Sequence, residues 1–327
     1  DANATAPPTC PPLRTPDARP HTLPAQLTRV VARERDVAAV GEMLRDGRLV
    51  TITAPGGSGK TRLAIDVASE QLDRYNDGAC FVDLAPVTDP ALVPEAIANA
   101  LQIADVPGAP LDKTLREALS TRELLLVIDN VEQVVAAAPL IGDLLAACPG
   151  LTVLATSRVR LRLRGERVYP LSPLALPVRA GATPLETLTQ YAAVRLFIDR
   201  AHDTQPGFAV TNDNAPAVAE VCVRLDGLPL AIELAAARVA LLPPEAMLAR
   251  LSARLPLLTG GGSDLPARQR TLRGTIAWSH ELLRAEEQAV FRQVAVFSGG
   301  ASLTAITTVV ADAVGGNAIL EIGRAHV

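Results

Sequence analysis

The order of apolar and polar residues predicts short strands that alternate with helices in the first half of the chain. Largely apolar runs, rich in β-branched and aliphatic residues, occur at 49–53, 79–84, 124–128 and 151–155, and such runs are typical of strands buried on both faces. Between these runs, apolar residues recur every three or four positions, which predicts amphipathic helices. Strands that alternate with helices favour a parallel sheet, so we predict an α/β fold.

The second half of the chain has helix signals that are interrupted by proline and glycine. A helix with proline in its first turn is expected after Gly227-Leu228-Pro229-Leu230, because the first amides of a helix lack partners within it. We therefore predict a helical region after the sheet. Its other predicted helices span 185–201, 215–225, 272–283, 286–297 and 302–314.

The turn after the first predicted strand has the composition of a phosphate-binding loop. The residues Ala54-Pro55-Gly56-Gly57-Ser58-Gly59-Lys60-Thr61 join that strand to a predicted helix. Glycines let several backbone N–H groups approach a phosphate chain together, and the N-terminus of the helix adds unpaired amides. Lys60 is expected to contact the β- and γ-phosphates, and Thr61 to bind Mg²⁺. A surface turn that merely contains Gly-Lys-Thr is the alternative.

We assign the nucleotide contacts to this loop and to an apolar pair that precedes it. Val30 and Val31 could pack on an adenine ring, and simple core packing is the alternative for them. The expected ligands are ATP or ADP with Mg²⁺. The contacts expected in the loop and at the start of its helix are Pro55, Gly56, Gly57, Ser58, Gly59, Lys60, Thr61 and Arg62.

An acidic residue ends one of the buried strands. Asp129 follows five apolar residues, and ligands of open α/β sheets bind at the carboxyl ends of the strands. With a phosphate loop upstream, this arrangement is typical of a Walker B strand, so we predict that Asp129 and Thr61 share the metal. Asn130 stands where many ATPases have a second acid, and Glu132 comes two residues later. We therefore expect slow hydrolysis.

Arginines follow the last of these strands. Arg158 lies at the same predicted sheet edge, where it could contact a γ-phosphate and report its presence. The catalytic candidates are thus Asp129, Asn130 and Arg158. Further arginines at 160, 162 and 164 alternate with apolar residues, which predicts a strand-like segment with one basic edge. A nucleic-acid contact is the alternative for this edge.

Composition and charge exclude some classes of protein. Hydrophobic residues make up 49% and aromatic residues 3% of the 327 residues, so the cores must consist of Ala, Leu and Val. The net charge of −4 and the pI near 5.7 argue against binding nucleic acid through the overall field. The four cysteines are scattered without a CxxC pair, which favours a reducing cytoplasm. No apolar run approaches the roughly 20 residues that cross a bilayer, so we expect no membrane contact.

Four segments in one order resemble the signal-transduction ATPases with numerous domains, a class that includes the NB-ARC ATPases. These segments are APGGSGKT, LLLVIDN, LTVLATSR and GLPLAIELAAARV. The segments LPAQLTRVVARE, RQRTLRGTIAWSHELL and FRQVAVFSGG extend the resemblance to large LuxR-type and antibiotic-regulatory (SARP) bacterial transcriptional regulators. The resemblance covers about residues 23–314. It departs from the usual pattern at Ala32, where a glycine normally precedes Arg33-Glu34.

The resemblance implies a P-loop sheet, then a helical subdomain, then a winged-helix domain that closes over bound nucleotide. It implies that Lys60 and Thr61 hold phosphate and Mg²⁺, that Asp129 serves the metal and that Arg158 senses the γ-phosphate. Pro229 is expected to approach the base or the ribose.

We accordingly predict five segments. Residues 1–24 are rich in proline and are expected to form an extended linker. Residues 25–172 are the predicted P-loop nucleotide-binding domain, and 173–258 the helical subdomain. Residues 259–320 are the predicted partial winged-helix domain. Residues 321–327 can be encoded by DNA that contains a common sequencing adapter, so we expect read-through there and a truncated reading frame.

The predicted function is a nucleotide-controlled switch in a bacterial transcriptional regulator. ADP is expected to hold the helical and winged-helix domains closed, whereas ATP opens them and favours self-association. The two nucleotides need differ by only a few kcal/mol in affinity for the two shapes. DNA is expected to bind through a domain outside this chain. The alternatives are a P-loop motor with fast turnover and a nucleotide-binding scaffold without hydrolysis.

Overall fold

A computed structural model describes most of the chain. The described residues are 19–26, 31–104, 108–177, 184–251, 270–281, 283, 285–297 and 302–310. Val30, residues 1–18 of the predicted linker and the predicted read-through segment at 321–327 lie outside them.

A sheet of five parallel strands forms the centre of the first half. The four predicted strands are all present, which confirms the predicted α/β fold with a parallel sheet, and a short fifth strand lies at one edge. The strands lie in the order β2-β3-β4-β1-β5. Their bounds are β1 Leu49–Thr53, β2 Ala79–Asp83, β3 Leu124–Asp129, β4 Leu151–Ser157 and β5 Arg167–Pro170.

The apolar runs fill both faces of this sheet. In β3, Leu126 and Ile128 belong to one cluster of buried residues, whereas Leu125 and Val127 belong to another. Successive strand residues point to opposite faces, so a continuous apolar run serves two cores at once. Helices α1 and α2 contribute to one core, and α3, α4 and α5 to the other. The bounds of these helices are α1 Glu34–Asp46, α2 Lys60–Gln71, α3 Val93–Ala100, α4 Leu111–Leu119 and α5 Ala138–Ala147.

The secondary structure described after β5 is helical. A third cluster of buried residues runs from Leu174 to Leu251, and Val31 and Ala32 pack against it. The predicted domain boundaries and the predicted winged helix stay predictions. The helices are α6 Leu185–Leu188, α7 Ala192–Thr204, α8 Ala215–Arg224, α9 Pro229–Ala236, α10 Pro244–Arg250, α11 Leu272–Glu281, α12 Ala285–Val294 and α13 Leu303–Val310.

Two local predictions are wrong. The helix predicted over 185–201 is interrupted between Leu188 and Ala192. The interruption lets Leu188 and Phe197 both be buried in the third cluster.

None of the described helices is long and apolar enough to cross a membrane.

The strand-like segment predicted over 159–164 is also absent, and β5 begins only at Arg167. The Glu166 carboxylate accepts hydrogen bonds from the amides of Leu161 (2.8 Å) and Arg162 (2.7 Å). Arg162 has a left-handed backbone, with φ of 60°. A side chain that binds the backbone in this way competes with strand pairing, so the alternating pattern forms a turn instead.

Candidate functional site

The loop at 54–61 connects β1 to α2 and encloses the amine of Lys60. Lys60 Nζ donates hydrogen bonds to the carbonyls of Ala54 (2.8 Å) and Pro55 (3.1 Å). Ser58 Oγ also donates to the Pro55 carbonyl, at 2.8 Å. Gly59, just before the helix, has φ of 90°, a backbone conformation that glycine adopts without strain. Burial lowers the pKa of Lys60, as expected for a cation removed from water.

Thr61 and Asp129 meet at the carboxyl end of the sheet. Thr61 Oγ1 donates to the Asp129 carboxylate at 2.8 and 3.0 Å, and Thr156 Oγ1 donates to the same carboxylate. Burial raises the pKa of Asp129 to about 6, although these two hydroxyls act to lower it. The hydroxyl and carboxylate oxygens fit a magnesium ion, because Mg²⁺ takes oxygen ligands and its charge would offset the burial of Asp129.

Asn130 lies against Asp129. Its side-chain amide donates to Asp129 Oδ2 at 2.6 Å and to Asp83 Oδ1 at 3.3 Å. Its backbone is left-handed, with φ of 62°, and a 3₁₀ helix over Val131–Ala137 follows directly. Asn130 is therefore a neighbour of the predicted metal ligand.

Arg158 forms a buried ion pair with Glu132. The distance from Arg158 Nε to Glu132 Oε1 is 3.1 Å, and the two side chains are 12% and 5% exposed. The sequence suggested a contact between Arg158 and a γ-phosphate, and the described contact is with this carboxylate. If the two side chains separated, each would leave the other as a buried, unpaired charge, which is costly. The pair therefore holds both side chains in place.

A cleft separates the loop from the helical region. The structure brings together five of the predicted nucleotide contacts along it: Val31, Ser58, Gly59, Arg62 and Pro229. Glu233 lies in the same cleft and accepts a hydrogen bond from Arg200 Nε at 3.3 Å. Burial raises the pKa of Glu233, whereas its arginine neighbours act to lower it. The cleft combines apolar walls with fixed charges, which is typical of sites for small ligands.

The phosphate loop also touches α9 directly. The Leu230 amide donates to the Gly57 carbonyl at 3.2 Å. Pro229 is the first residue of α9, so this amide lies in the first turn, where it lacks a partner within the helix. A Cβ atom at Gly57 would lie 3.2 Å from Leu230 Cβ. The loop and the start of α9 are thus in close contact.

Several residues of this site were missed from the sequence. Thr156 lies near the end of β4, and its hydroxyl donates a hydrogen bond to Asp129. Its place at the end of a buried strand is the sequence signal that could have indicated a role in the site. Glu233 follows Pro229 by one helical turn, which places both near one face of α9. Sequence spacing does not predict the contact between Arg200 and Glu233, and it does not predict the contact between Arg158 and Glu132.

Ala32 adopts a strained conformation just before α1. Its φ is 55°, in the left-handed region, where alanine costs roughly 1–2 kcal/mol and glycine almost nothing. Glycine also increases the entropy of the unfolded chain, which cancels part of that gain. We expect Ala32→Gly to raise the free energy of unfolding by about 0.5–1 kcal/mol, measured by urea titration.

The control for this change lies in the next helix. Ala38 is an exposed residue of α1, and Ala38→Gly should lower the free energy of unfolding by about 1 kcal/mol. The same substitution thus has opposite signs at two sites six residues apart. A loss of stability in both variants would contradict the strain assigned to Ala32.

Comparison with known proteins defines the class. Residues 44–166 match the AAA domain family. The Walker-type ATPase PABY2304 of Pyrococcus abyssi has a similar fold, with a TM-score of 0.57 over 90% of this chain and 89% of that chain, at 14% sequence identity. Together with the loop and the Asp129 site, the AAA match makes this chain a nucleotide-binding P-loop ATPase region.

Two mycobacterial proteins are similar over most of the chain. Rv0890c of Mycobacterium tuberculosis, named as a candidate HTH-type transcriptional regulator, is 44% identical over 270 residues, which are 82% of this chain and 29% of Rv0890c. The uncharacterized protein Rv0894 of Mycobacterium tuberculosis is 38% identical over 298 residues, which are 91% of this chain and 71% of Rv0894. The chain belongs to the same family as Rv0894.

A streptomycete regulator is a more distant relative. The regulatory protein AfsR of Streptomyces griseus is 29% identical over 236 residues, which are 68% of this chain and 22% of AfsR. The chain therefore spans less than a third of the length of Rv0890c and of AfsR. The finer assignments to LuxR-type, SARP-type or NB-ARC proteins go beyond these matches and stay predictions.

Proposed function

We propose that this region binds ATP and ADP with Mg²⁺ and acts as a nucleotide-controlled switch in a transcriptional regulator. The observation that carries the proposal is the hydrogen bond from the Leu230 amide to the Gly57 carbonyl. If a bound phosphate chain displaces Gly57, this hydrogen bond would displace the start of α9 as well. The length of the phosphate chain can therefore bias the helical region, provided that ATP and ADP differ in affinity for its two positions.

The geometry of the site supports the binding roles that we propose. Lys60 and the loop amides bind the phosphates, and Thr61 and Asp129 hold Mg²⁺, which neutralises phosphate charge when it is bound. Val31 and Pro229 contact the base or the ribose in the cleft that they line. In this proposal, Arg158 senses whether a γ-phosphate is present, and the site hydrolyses ATP slowly.

The regulatory part of the proposal rests on relatives. Rv0890c is named as a candidate transcriptional regulator and AfsR as a regulatory protein. We propose that DNA is bound by a part of the protein outside this chain, and that ATP favours self-association. We further propose that the protein acts in the cytoplasm.

The purified chain is expected to carry ADP. Because a switch retains its product, acid release followed by mass spectrometry should yield ADP near one molecule per chain. Single-turnover hydrolysis of ATP with Mg²⁺ should be slower than roughly 1 s⁻¹. Light scattering after size exclusion should show a larger species with a non-hydrolysable ATP analogue than with ADP.

Other outcomes would favour the alternatives. Turnover at roughly 1 s⁻¹ or faster favours a motor. Nucleotide binding with no phosphate release and no change of mass favours a scaffold. Absence of any bound purine nucleotide, and no binding on titration, would contradict the proposal as a whole.

A further inference from the structure

A buried glutamate at the candidate site has an oxygen without a hydrogen-bond partner among the described residues. The Glu132 side chain is 5% exposed, and its Oε1 accepts a hydrogen bond from Arg158 Nε at 3.1 Å. Its Oε2 is buried without a hydrogen-bond partner among the described residues. An unpaired buried carboxylate oxygen is costly. Such an oxygen indicates a place where a polar ligand group or a bound water fits.

The backbone around Asn130 explains how Glu132 comes to lie there. Asn130 is left-handed, with φ of 62°, and the 3₁₀ helix that follows turns the chain sharply. Glu132 is thereby close enough to Lys60 and Asp129 for their charges to interact. Burial is the largest influence on both of these groups, lowering the pKa of Lys60 and raising that of Asp129, and the charge of Glu132 acts to raise both pKa values.

We propose that Glu132 is the carboxylate that orients and deprotonates the attacking water in ATP hydrolysis, and that Arg158 is the positioning residue that holds it. This inference rests on the proposed function and adds a catalytic residue to it. Asn130, the candidate from the sequence, is a neutral amide that cannot act as a base, and its side chain is bonded to Asp129. Glu132 has a carboxyl group, which can act as a base, and its Oε2 has no hydrogen-bond partner among the described residues.

The proposed step balances without another reactant. A water oxygen forms a bond to the γ-phosphorus while the bond between that phosphorus and the β,γ-bridging oxygen breaks. ADP leaves with the electron pair of the broken bond. Glu132 Oε2 accepts the proton of the water, and the proton then passes to the released phosphate. The products are ADP and inorganic phosphate.

Glu132→Gln tests this role in the full chain. Glutamine keeps the shape and can still accept a hydrogen bond from Arg158, but it cannot take a proton. We expect single-turnover phosphate release to fall at least about 100-fold, while the Kd for ATP with Mg²⁺ stays within about threefold. Glu117→Gln is the matched control, because Glu117 is exposed on α4, and it should leave both quantities unchanged.

Chemical rescue separates catalysis from structure. In Glu132→Ala, added formate should restore part of the phosphate release, because a small carboxylate can replace the lost group. A purely structural role of Glu132 would not respond to formate. If Glu132→Gln does not fold, Glu132→Asp decides, and its shorter carboxylate should slow release about tenfold with unchanged affinity.

The outcomes distinguish this inference from the proposed function. If wild type binds no nucleotide, the proposed function fails and this inference fails with it. If wild type binds ATP but releases no phosphate, the role of Glu132 and the proposed slow hydrolysis are both overturned, whereas the proposed nucleotide binding stands. If a folded Glu132→Gln variant releases phosphate at the wild-type rate, only the role of Glu132 is overturned. If Glu132→Asp folds but Glu132→Gln does not, an unchanged rate of phosphate release in Glu132→Asp overturns the role of Glu132.

Discussion

Replacing Lys60 with alanine should weaken the binding of both ADP and ATP by roughly 10- to 150-fold, which corresponds to about 1.5–3 kcal/mol. Its Nζ lies in the loop within hydrogen-bond distance of the Ala54 and Pro55 carbonyls, so the amine is already positioned where the phosphates are expected. Charge-assisted hydrogen bonds to phosphate are among the stronger polar contacts. Isothermal titration of the full chain with each nucleotide in Mg²⁺ measures the loss.

The chain offers a matched control for this change. Lys113 is its only other lysine, and it lies exposed on α4, 3.7 Å from Glu117. Lys113→Ala removes the same charge far from the loop and should leave both affinities within about twofold, because exposed ion pairs contribute little. Thermal unfolding shows whether Lys60→Ala is folded, and Lys60→Gln provides a second variant of similar length. Wild-type affinity in a folded Lys60 variant would show that the loop assignment is wrong.

The strands of the sheet could be predicted because their residues are apolar on both faces. The runs in β3 and β4 are fully buried in the structure, and continuous apolar runs of this length have few other uses. The order of the strands could not be predicted, since no local pattern shows that β4 lies between β1 and β3. β5 was missed because its four residues are exposed or only half-buried, so its sequence has no apolar signal.

The candidate site likewise has residues that the sequence predicts and contacts that it does not predict. Lys60 and Thr61 were predicted from a motif whose geometry is local, namely a strand, a glycine turn and a helix. Asp129 was predicted from its place at the carboxyl end of a separate apolar strand. Glu132 lies two residues beyond the usual position of the second acid, and spacing along the chain does not reveal the left-handed backbone at Asn130. The contacts of Glu233 and Arg158 depend on how distant elements pack. Such contacts follow from the tertiary structure and are not encoded in short sequence patterns.

The turn before α9 depends on a glycine. Gly227 has φ of 65°, and a Cβ atom at this position would lie 2.4 Å from the Leu174 carbonyl oxygen. The Gly227 carbonyl also accepts a hydrogen bond from the Leu174 amide at 2.9 Å. Glycine therefore allows two backbone segments to approach closely, directly before the helix that carries Pro229. This close packing sets the position of α9 next to the phosphate loop.

Gly227→Ala is accordingly expected to lower the free energy of unfolding by about 2–5 kcal/mol. The left-handed backbone accounts for roughly 1–2 kcal/mol of this loss, and the overlap with the Leu174 carbonyl for roughly 1–3 kcal/mol. Gly165→Ala isolates the first part, because Gly165 has φ of 77° but a Cβ there meets nothing within 4 Å. Urea unfolding of both variants measures the difference, and equal losses would show that the Leu174 segment moves aside at no cost.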